Sequence, residues 1–218
     1  QVSVQATTPP TLIAAAGMIT SALGLKEVVH QMAPAGPTEL AAAAVEFRLP
    51  EISELPIVLF PGVRSGAWFA EEDIESNDMM RGEETLCIGL ARQRPGQALT
   101  VLNLGSHWKA IRLDEDGRIA ASITSLSGEM IHTTQTQTIL ASAVSHQRPE
   151  QIDLHWLAAG IKRQRQSGLA RALFGVRLLE QSGQGTPDER LAFLIGCFIA
   201  SDLDALQRAS ALADSVFL

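Results

Sequence analysis

At 218 residues the chain can bury a sizeable core, and its length fits one large domain or two modest ones, of which we expect two. Hydrophobic residues make up 46% of the chain and charged residues 19%, so a wholly disordered protein is excluded. The formal net charge of -7 argues against a nucleic-acid backbone or an anionic membrane as the main partner, because either would need a basic face.

Cysteine placement and the length of the apolar runs predict the compartment. Cys87 and Cys197 each stand inside an apolar run, which is typical of buried thiols in a reducing environment. No apolar run approaches the ~20 residues that span a bilayer, and the first residues lack a signal-peptide pattern. We therefore expect a cytoplasmic protein. The chain begins at Gln1 rather than at a methionine, which predicts an excerpt of a longer protein.

The start of the chain predicts an α/β opening. Residues 11–17 form an apolar run that ends at Gly17 and predicts a strand, and the apolar spacing after Ser21 predicts a helix. Ligands of open α/β sheets gather at the carboxyl ends of strands, so Ser21 and Lys26 are candidate ligand contacts. A plain capped helix explains the same pattern equally well.

Three segments of different character follow. Strands and turns are predicted over residues 40–62, with a first extended segment over residues 41–48 and with Pro50 and Pro56 as turn residues. The acidic residues 67–78 predict a surface loop. Apolar positions over residues 79–92 then predict a helix.

The segment Arg81-Gly82-Glu83-Glu84-Thr85 lies near the start of this predicted helix. Carboxylates are stabilised at a helix N-terminus, glycine lets another group approach the backbone, and arginine can clamp an anion. Glu83 and Glu84 are therefore candidate general bases, and Arg81 is a candidate anion clamp. A solvated acidic first turn would show the same residues, and the local pattern alone favours that explanation.

Three strands with tight turns are predicted over residues 97–124, where alternating apolar runs flank an acidic Asp-Gly turn. The first connection between these strands is Gly105-Ser106-His107, and Lys109 follows it. A tight glycine turn exposes backbone N–H groups, and hydroxyl, imidazole and ammonium groups complement a phosphate. Ordinary turn chemistry explains Gly-Ser equally well.

Helices are predicted over most of the chain after Gly128. Ser127, Gly128 and Glu129 resemble a helix cap followed by an acid, which could lie beside the glycine turn. Thr186 and Glu189 predict a capped start for the last helix. His30, His132, His146 and His155 lack the spacing of zinc ligands, so we predict no structural zinc site.

A polar break at residues 94–96 separates a predicted helix from a new set of strands. We therefore expect one domain over residues 1–95 and another over residues 96–218. A substrate cleft is expected at such a boundary.

Five segments of the chain match, in their order and in their residues, the motifs of one known protein family. They are Ala16-Gly17-Met18-Ile19, Pro61-Gly62-Val63, Met80-Arg81-Gly82-Glu83-Glu84-Thr85, Gly105-Ser106-His107-Trp108-Lys109 and Ser127-Gly128-Glu129. Together they resemble the 2-dehydro-3-deoxygalactonokinases. The similarity runs from about Leu12 to about Ala200, and the Arg-Gly-Glu-Glu-Thr segment is its most specific part.

The resemblance implies an α/β fold of the two-lobed actin-like, ribonuclease H-like sugar kinase type. Residues 1–95 would belong to a sugar-binding N-terminal lobe and residues 96–218 to an α-rich, nucleotide-binding C-terminal lobe. Family members also carry an Asp-x-Gly-Ser/Thr-Thr-Asn turn in their first strand and a glycine-containing adenosine segment near their other end. This chain shows neither, so the N-terminal strands and a C-terminal segment are expected to be missing from it.

The implied reaction transfers the γ-phosphoryl group of ATP, with Mg²⁺, to 2-dehydro-3-deoxy-D-galactonate and gives its 6-phosphate. A glutamate would take the proton from the attacking hydroxyl and an arginine would hold an oxyanion, which names Glu83, Glu84 and Arg81. The implied phosphate-binding residues are Gly105, Ser106, His107 and Lys109. The implied sugar-binding residues are Met18, Ser21, Glu27 and Gly82.

Two other functions stay open at this point. A catalytically incomplete kinase relative would act as a sugar-acid binding protein. A structural protein would use the helical half, residues 151–218, as a homodimer surface. The kinase should bind both ATP–Mg²⁺ and the sugar acid, the binding protein only the sugar acid, and the structural protein neither.

Overall fold

The structure is a computed structural model that describes residues 9–68, 71–147, 149–213 and 215–218. The fold is mixed α/β, as the sequence predicts. Along the chain the strands and helices are β1 (Ile13–Ala15), β2 (Gln31–Met32), α1 (Pro37–Ala42), β3 (Val45–Leu49), β4 (Ser53–Leu59), β5 (Val63–Ser65), β6 (Asp78–Met80), α2 (Glu84–Gln93), β7 (Leu99–Leu104), β8 (Trp108–Leu113), β9 (Ile119–Ser125), α3 (Ser127–Gln137), α4 (Leu154–Ser167), α5 (Leu169–Gln181), α6 (Pro187–Arg208) and β10 (Val216–Phe217).

The described residues form two compact units. Unit 1 takes its residues from Gln1–Val101, Ile111–Ser122 and Ala213–Phe217, and unit 2 takes its residues from Leu102–Ala110, Ile123–Leu212 and Leu218. The chain therefore passes from one unit to the other within β7, β8 and β9. The domain division predicted at residue 95 stays a prediction.

Unit 1 contains two three-stranded sheets. In the first, β4 lies between β1, to which it is parallel, and β3, to which it is antiparallel. Alternate residues of β4 point to opposite faces, which buries Ile57 and Leu59 with Val28 in a small core. In the second sheet, β5 lies between the parallel β2 and the antiparallel β6. A larger core beside it includes the buried Cys87, as predicted for that thiol.

The strands predicted over residues 97–124 are confirmed as β7, β8 and β9, which form a sheet in the order β10-β7-β8-β9. The acidic turn between β8 and β9 is confirmed as well, because the N–H of Gly117 donates to the carbonyl of Asp114 at 2.9 Å. Gly117 has a φ of +74°, a conformation that favours glycine. β10 runs parallel to β7.

The helices of unit 2 confirm the prediction for the chain after Gly128. Helix α6 begins with the predicted capping box. Oγ1 of Thr186 accepts from the N–H of Glu189 at 3.2 Å, and the Glu189 carboxylate accepts from the N–H of Thr186 at 2.6 Å. These bonds fix the start of the helix that carries half of the buried core residues of unit 2.

Helices α4 and α6 cross at the distance of backbone contact. A methyl carbon on Gly160 would overlap the carbonyl of Phe193, and one on Gly196 would overlap the carbonyl of Leu157. The crossing therefore requires glycine at both positions. Cys197 lies beside it, fully buried, and its Sγ is 3.5 Å from the carbonyl oxygen of Gly160. Cys197 is a core thiol, as predicted.

Two predictions for the first third of the chain are wrong. The helix expected after Ser21 is replaced by turns and bends up to the start of β2. The strand expected from residue 41 starts only at Val45, because α1 begins at Pro37 and the carboxylate of Glu39 accepts from the N–H of Gly36 at 2.8 Å.

Two further boundaries differ. Pro56 lies inside β4 rather than in a turn, and it does so where the pairing register with β3 shifts, which accommodates a residue without an N–H. The helix expected from residue 79 begins at Glu84, because Asp78–Met80 pair with β5 as a strand. In the acidic loop, Glu71–Ser76 form a 3-10 helix, and residues 69 and 70 lie outside the described residues.

The helices within the described ranges are all too short or too polar to cross a membrane.

Candidate active site

The predicted catalytic segment lies at one end of the strands in the second sheet of unit 1, where β2 and β5 begin and β6 ends. Val63, the first residue of β5, is paired with Gln31 of β2 and with Met80 of β6. The residues that follow β6 and those that precede β2 are therefore neighbours at this end. Pairing of the strands thus brings Arg81 to His30, although 51 positions separate them in the chain.

Arg81, which follows the end of β6, forms hydrogen bonds to the stretch before β2. Its Nη1 donates to the carbonyl and to Oγ1 of Thr20, at 2.7 and 2.6 Å. Its Nη2 donates to the carbonyl of Val28 at 2.9 Å and lies 3.1 Å from Nδ1 of His30. Burial, and then the positive charges of Arg81 and Arg64, lower the pKa of His30, because each disfavours the imidazolium form. The lowered pKa favours the neutral imidazole beside the guanidinium group.

Glu84, the first residue of α2, is a buried carboxylate with only 3% of its surface exposed. Its Oε1 accepts from the N–H of Val63 at 2.9 Å, and its Oε2 accepts from the N–H of Gly82 at 2.6 Å. Burial raises the pKa of Glu84, and the backbone N–H donors oppose that shift. Glu84 therefore links the start of α2 to the start of β5.

Glu83 occupies the position just before α2, makes no side-chain cap bond there and is only half-buried. Its Oε2 accepts from the backbone N–H of Arg81 at 3.2 Å. Beside it, Gly82 has a φ of +120° and Gly17 a φ of +90°, which both favour glycine. The two glycines face each other, since a methyl carbon on Gly82 would lie 3.3 Å from the Cα of Gly17. The turn after β1 therefore packs directly against the predicted catalytic segment.

The predicted sugar-binding residues Met18, Ser21 and Glu27 lie in the stretch that Arg81 holds. Met18 is 63% exposed, and Glu27 is exposed as well. The hydroxyl of Ser21 donates to the carbonyl of Met18 at 2.7 Å. We name residues 17–30 the sugar loop. The structure thus brings the predicted sugar-binding and catalytic residues of unit 1 to one end of the strands of one sheet.

The predicted phosphate-binding residues begin at the turn between β7 and β8, which we name the phosphate turn (residues 105–107). The first turn of α3 packs on it. The N–H of Glu129 donates to the carbonyl of Ser106 at 2.7 Å, and Oε2 of Glu129 lies 3.2 Å from Nε2 of His107. A methyl carbon on Gly128 would overlap the carbonyl of Gly105. The segment 127–129 therefore lies beside the phosphate turn, as the sequence predicts.

Lys109 of β8 is buried, with 7% of its surface exposed, which is unusual for lysine. It lines a cavity of ≈ 260 Å³ in unit 2. The cavity lies at the same end of the sheet as the phosphate turn, because its lining includes Leu104, the last residue of β7, and Trp108, the first of β8. The rest of the lining is mostly apolar, apart from Ser125 and Asp202.

Asp202 of α6 joins the end of β9 to the start of α3. Its carboxylate accepts from the hydroxyl of Ser125 at 2.6 Å and from that of Ser127 at 2.8 Å. The sequence predicts Ser127 as a helix cap, whereas the cap residue is Leu126 and the Ser127 hydroxyl bonds to Asp202. Nothing in the local pattern of α6 singles out Asp202, since its two partners are 77 and 75 positions away.

A solved structure indicates the class of protein to which this fold belongs. The crystal structure of a Sinorhizobium meliloti protein, provisionally assigned as a 2-dehydro-3-deoxygalactonokinase, matches this chain with a TM-score of 0.81 and 26% identity. The match covers 95% of this chain and 67% of that one. The fold is therefore shared with a protein assigned as a carbohydrate kinase.

The family model for 2-keto-3-deoxy-galactonokinase matches residues 2–218. The chain belongs to this family. A curated relative, described as the probable 2-dehydro-3-deoxygalactonokinase DgoK1 of Rhizobium meliloti (strain 1021), is 33% identical over 129 residues. That match covers 59% of this chain and 39% of the relative, so the chain matches less than half of the relative's length.

Proposed function

We propose that this chain is part of an enzyme that transfers the γ-phosphoryl group of ATP to the terminal hydroxyl of 2-dehydro-3-deoxy-D-galactonate and gives the 6-phosphate. The observation that carries the proposal is the family match over residues 2–218. The proposed architecture is the two-lobed, actin-like sugar kinase fold, with sugar binding in residues 1–95 and nucleotide binding in residues 96–218. The proposed location is the cytoplasm.

Glu83 is the general base in this proposal. Both carboxylate oxygens of Glu84 already accept backbone N–H groups, and its side chain is buried away from any substrate hydroxyl. A general base must come within about 2.6–3.2 Å of the oxygen that carries the proton. Glu83 is half-buried and stands beside the sugar loop, which is compatible with such an approach. In this proposal Glu83 takes the proton, and Glu84 fixes the backbone around Glu83 through its two hydrogen bonds.

Arg81 has a positioning role in this proposal, because both of its terminal nitrogens contact the sugar loop. It fixes the loop that carries Met18, Ser21 and Glu27 relative to Glu83. Fixed geometry of this kind is a large part of catalysis in phosphoryl transfer, since little covalent chemistry is left to the protein. The oxyanion contact of Arg81 stays a prediction.

The phosphate turn, together with Lys109, would hold the phosphates of ATP. Hydroxyl and ammonium groups suit phosphate oxygens, and Ser106 and Lys109 supply them. The carboxylate of Glu129 opposes this role, because it repels a phosphate. Its Oε2 lies 3.2 Å from Nε2 of His107, and the ammonium group of Lys109 adds a positive charge two positions beyond the turn.

ATP supplies the γ-phosphoryl group when it is bound, and Mg²⁺ accompanies it. Such magnesium sites combine one or two carboxylates with the phosphates of the nucleotide. We assign no residue of this chain to the metal.

The proposal is tested by measuring ADP formation with the intact protein, ATP–Mg²⁺ and 2-dehydro-3-deoxy-D-galactonate. ADP formation that depends on the sugar acid would support the kinase. Calorimetric binding of the sugar acid without ATP binding or ADP formation would instead support the sugar-acid binding protein. Binding of neither ligand by an oligomeric protein would support the structural alternative.

A further inference from the structure

We propose that Asp202 is a positioning residue for the phosphate turn and acts through the first turn of α3. The inference rests on the proposed function, because that function gives the phosphate turn its nucleotide. All the contacts involved lie within unit 2.

The carboxylate of Asp202 fixes the chain on both sides of the junction between β9 and α3. It accepts from Ser125, the last residue of β9, and from Ser127, the first residue of α3, and only Leu126 stands between them. Hydrogen bonds to a carboxylate are roughly twice as strong as those between neutral groups. The N–H of Ser127 also donates to Oγ of Ser125, at 3.3 Å. The place and direction in which α3 starts therefore depend on Asp202.

The start of α3 in turn determines where the phosphate turn lies. The two residues after Ser127 make the contacts, because Gly128 packs without a side chain against the carbonyls of Gly105 and Ser106. The next N–H, that of Glu129, donates to the carbonyl of Ser106. Close packing leaves no space for α3 to shift without moving the turn. A chain of direct contacts thus leads from Asp202 to the backbone that would meet the nucleotide.

Helix α6 gives Asp202 a firm support and also supplies a matched control. The glycine crossing holds α6 against α4. Two residues beyond Asp202, Asp204 pairs with Arg165 of α4 at 3.4 Å. Asp204 has the same side chain on the same helix, and its ion pair leads to α4 and not to α3. Replacing it reproduces the loss of a carboxylate from α6 without touching the junction.

The experiment compares Asp202→Ala, Asp202→Asn and Asp204→Asn in the intact protein, with ATP–Mg²⁺ and the sugar acid titrated separately by calorimetry. We expect Asp202→Ala to raise the Kd for ATP at least about tenfold, which corresponds to about 1.4 kcal/mol. Asp202→Asn should recover most of the affinity, because an amide can still bond to both hydroxyls. Asp204→Asn should change the Kd for ATP by less than about twofold, and all three should leave the Kd for the sugar acid unchanged, as expected of a local effect.

Equal ATP affinities of Asp202→Ala and Asp204→Asn would overturn the inference while leaving the kinase proposal intact. If the unmodified protein binds no ATP, the proposed function fails, and hydrogen exchange at the amides of residues 105–107 then decides the inference. Faster exchange in Asp202→Ala than in Asp204→Asn supports the inference. Equal exchange in these two variants overturns it. If Asp202→Ala does not fold, Ser127→Ala takes its place, since it removes one of the two bonds; it should raise the Kd for ATP severalfold, and an unchanged Kd overturns the inference.

Discussion

Glu83 and Glu84 are neighbours in the chain, but their surroundings give them different roles. We expect Glu83→Gln to lower kcat by about 10²-fold or more, the usual effect of losing a general base. Its free energy of unfolding should change little, because an amide oxygen can still accept from the N–H of Arg81. Steady-state kinetics and urea denaturation measure the two quantities. A loss of rate confined to Glu84→Gln would contradict the assignment of Glu83.

Unlike Glu83→Gln, the substitution Glu84→Gln should lower the stability of the protein. Glu84→Gln keeps one oxygen acceptor, so the N–H of either Val63 or Gly82 then faces an amide NH₂ group. We expect the free energy of unfolding to fall by about 1–3 kcal/mol, the cost of a buried donor without an acceptor. Urea denaturation at neutral pH checks this, with Glu83→Gln as the control. Equal stability of the two variants would contradict the structural role of Glu84.

The imidazole of His30 predicts a pH dependence of stability. Its pKa in the folded protein is lowered from 6.5, so the unfolded chain takes up the proton first as the pH falls. The contribution to the free energy of unfolding is therefore fully present above pH 6.5 and is lost as the pH falls through the folded pKa. His30→Gln keeps an acceptor for Arg81 and does not titrate. Denaturation curves measured on both sides of that pH should show a smaller loss for this variant, and parallel losses would contradict the prediction.

At the scale of residues, the sequence identifies the groups with chemistry but not the groups that hold them. Arg81 and Glu84 stand out because of their charges and their place at a helix start. Their partners Thr20, His30 and Val63 are uncharged or carry ordinary patterns, and they become neighbours only through the pairing of β2, β5 and β6. Local pattern alone favours a solvated acidic turn, whereas Glu84 is buried. Contacts between distant segments decide such roles.

At the scale of secondary-structure elements, the close packing of α3 on the phosphate turn predicts a steric effect. Gly128→Ala would place a methyl group inside the carbonyls of Gly105 and Ser106, and we expect it to lower the free energy of unfolding by about 1–3 kcal/mol. It should also weaken ATP binding. Gly89→Ala is the control, because a methyl carbon there meets no atom within 4 Å and α2 should gain about 0.5–1 kcal/mol. Stabilisation by both substitutions would contradict the close contact.

The elements best predicted from the sequence are those with strong local chemistry. The strands β7, β8 and β9 alternate in hydrophobicity around a turn that needs glycine, and α6 starts with a capping box. The helix expected after Ser21 fails for the opposite reason. Its apolar spacing suits a helix, but Arg81 draws the carbonyls of Thr20 and Val28 into its own hydrogen bonds. A distant side chain therefore overrides local propensity there.

For the molecule as a whole, each unit contains one buried thiol, Cys87 in unit 1 and Cys197 in unit 2. Burial raises the pKa of each thiol to about 12, so neither forms a thiolate at ordinary pH. We expect neither to react with a thiol reagent in the native protein and both to react in urea. Mass spectrometry of the labelled peptides follows each one separately. Rapid labelling of either thiol in native buffer would contradict its burial.

Membership of the family is also a property of the whole chain. Four of the five motifs have a plain structural explanation when taken alone. The order of all five predicted the family, and the family model that matches residues 2–218 confirms it. That order says nothing about which of two adjacent acids faces the substrate, because such a choice depends on side-chain surroundings. The family was predictable from the sequence for that reason, and the division of roles between Glu83 and Glu84 was not.

The glycine crossing of α4 and α6 limits which substitutions this chain can accept. Every replacement of Gly160 or Gly196 adds at least one carbon atom where a backbone carbonyl already lies, so no conservative exchange exists at either position. Core positions with side chains can drift through swaps of similar volume, whereas these two cannot. Neutral variation in unit 2 is therefore expected at the surface and at core positions that carry side chains, and not at the two glycines of this crossing.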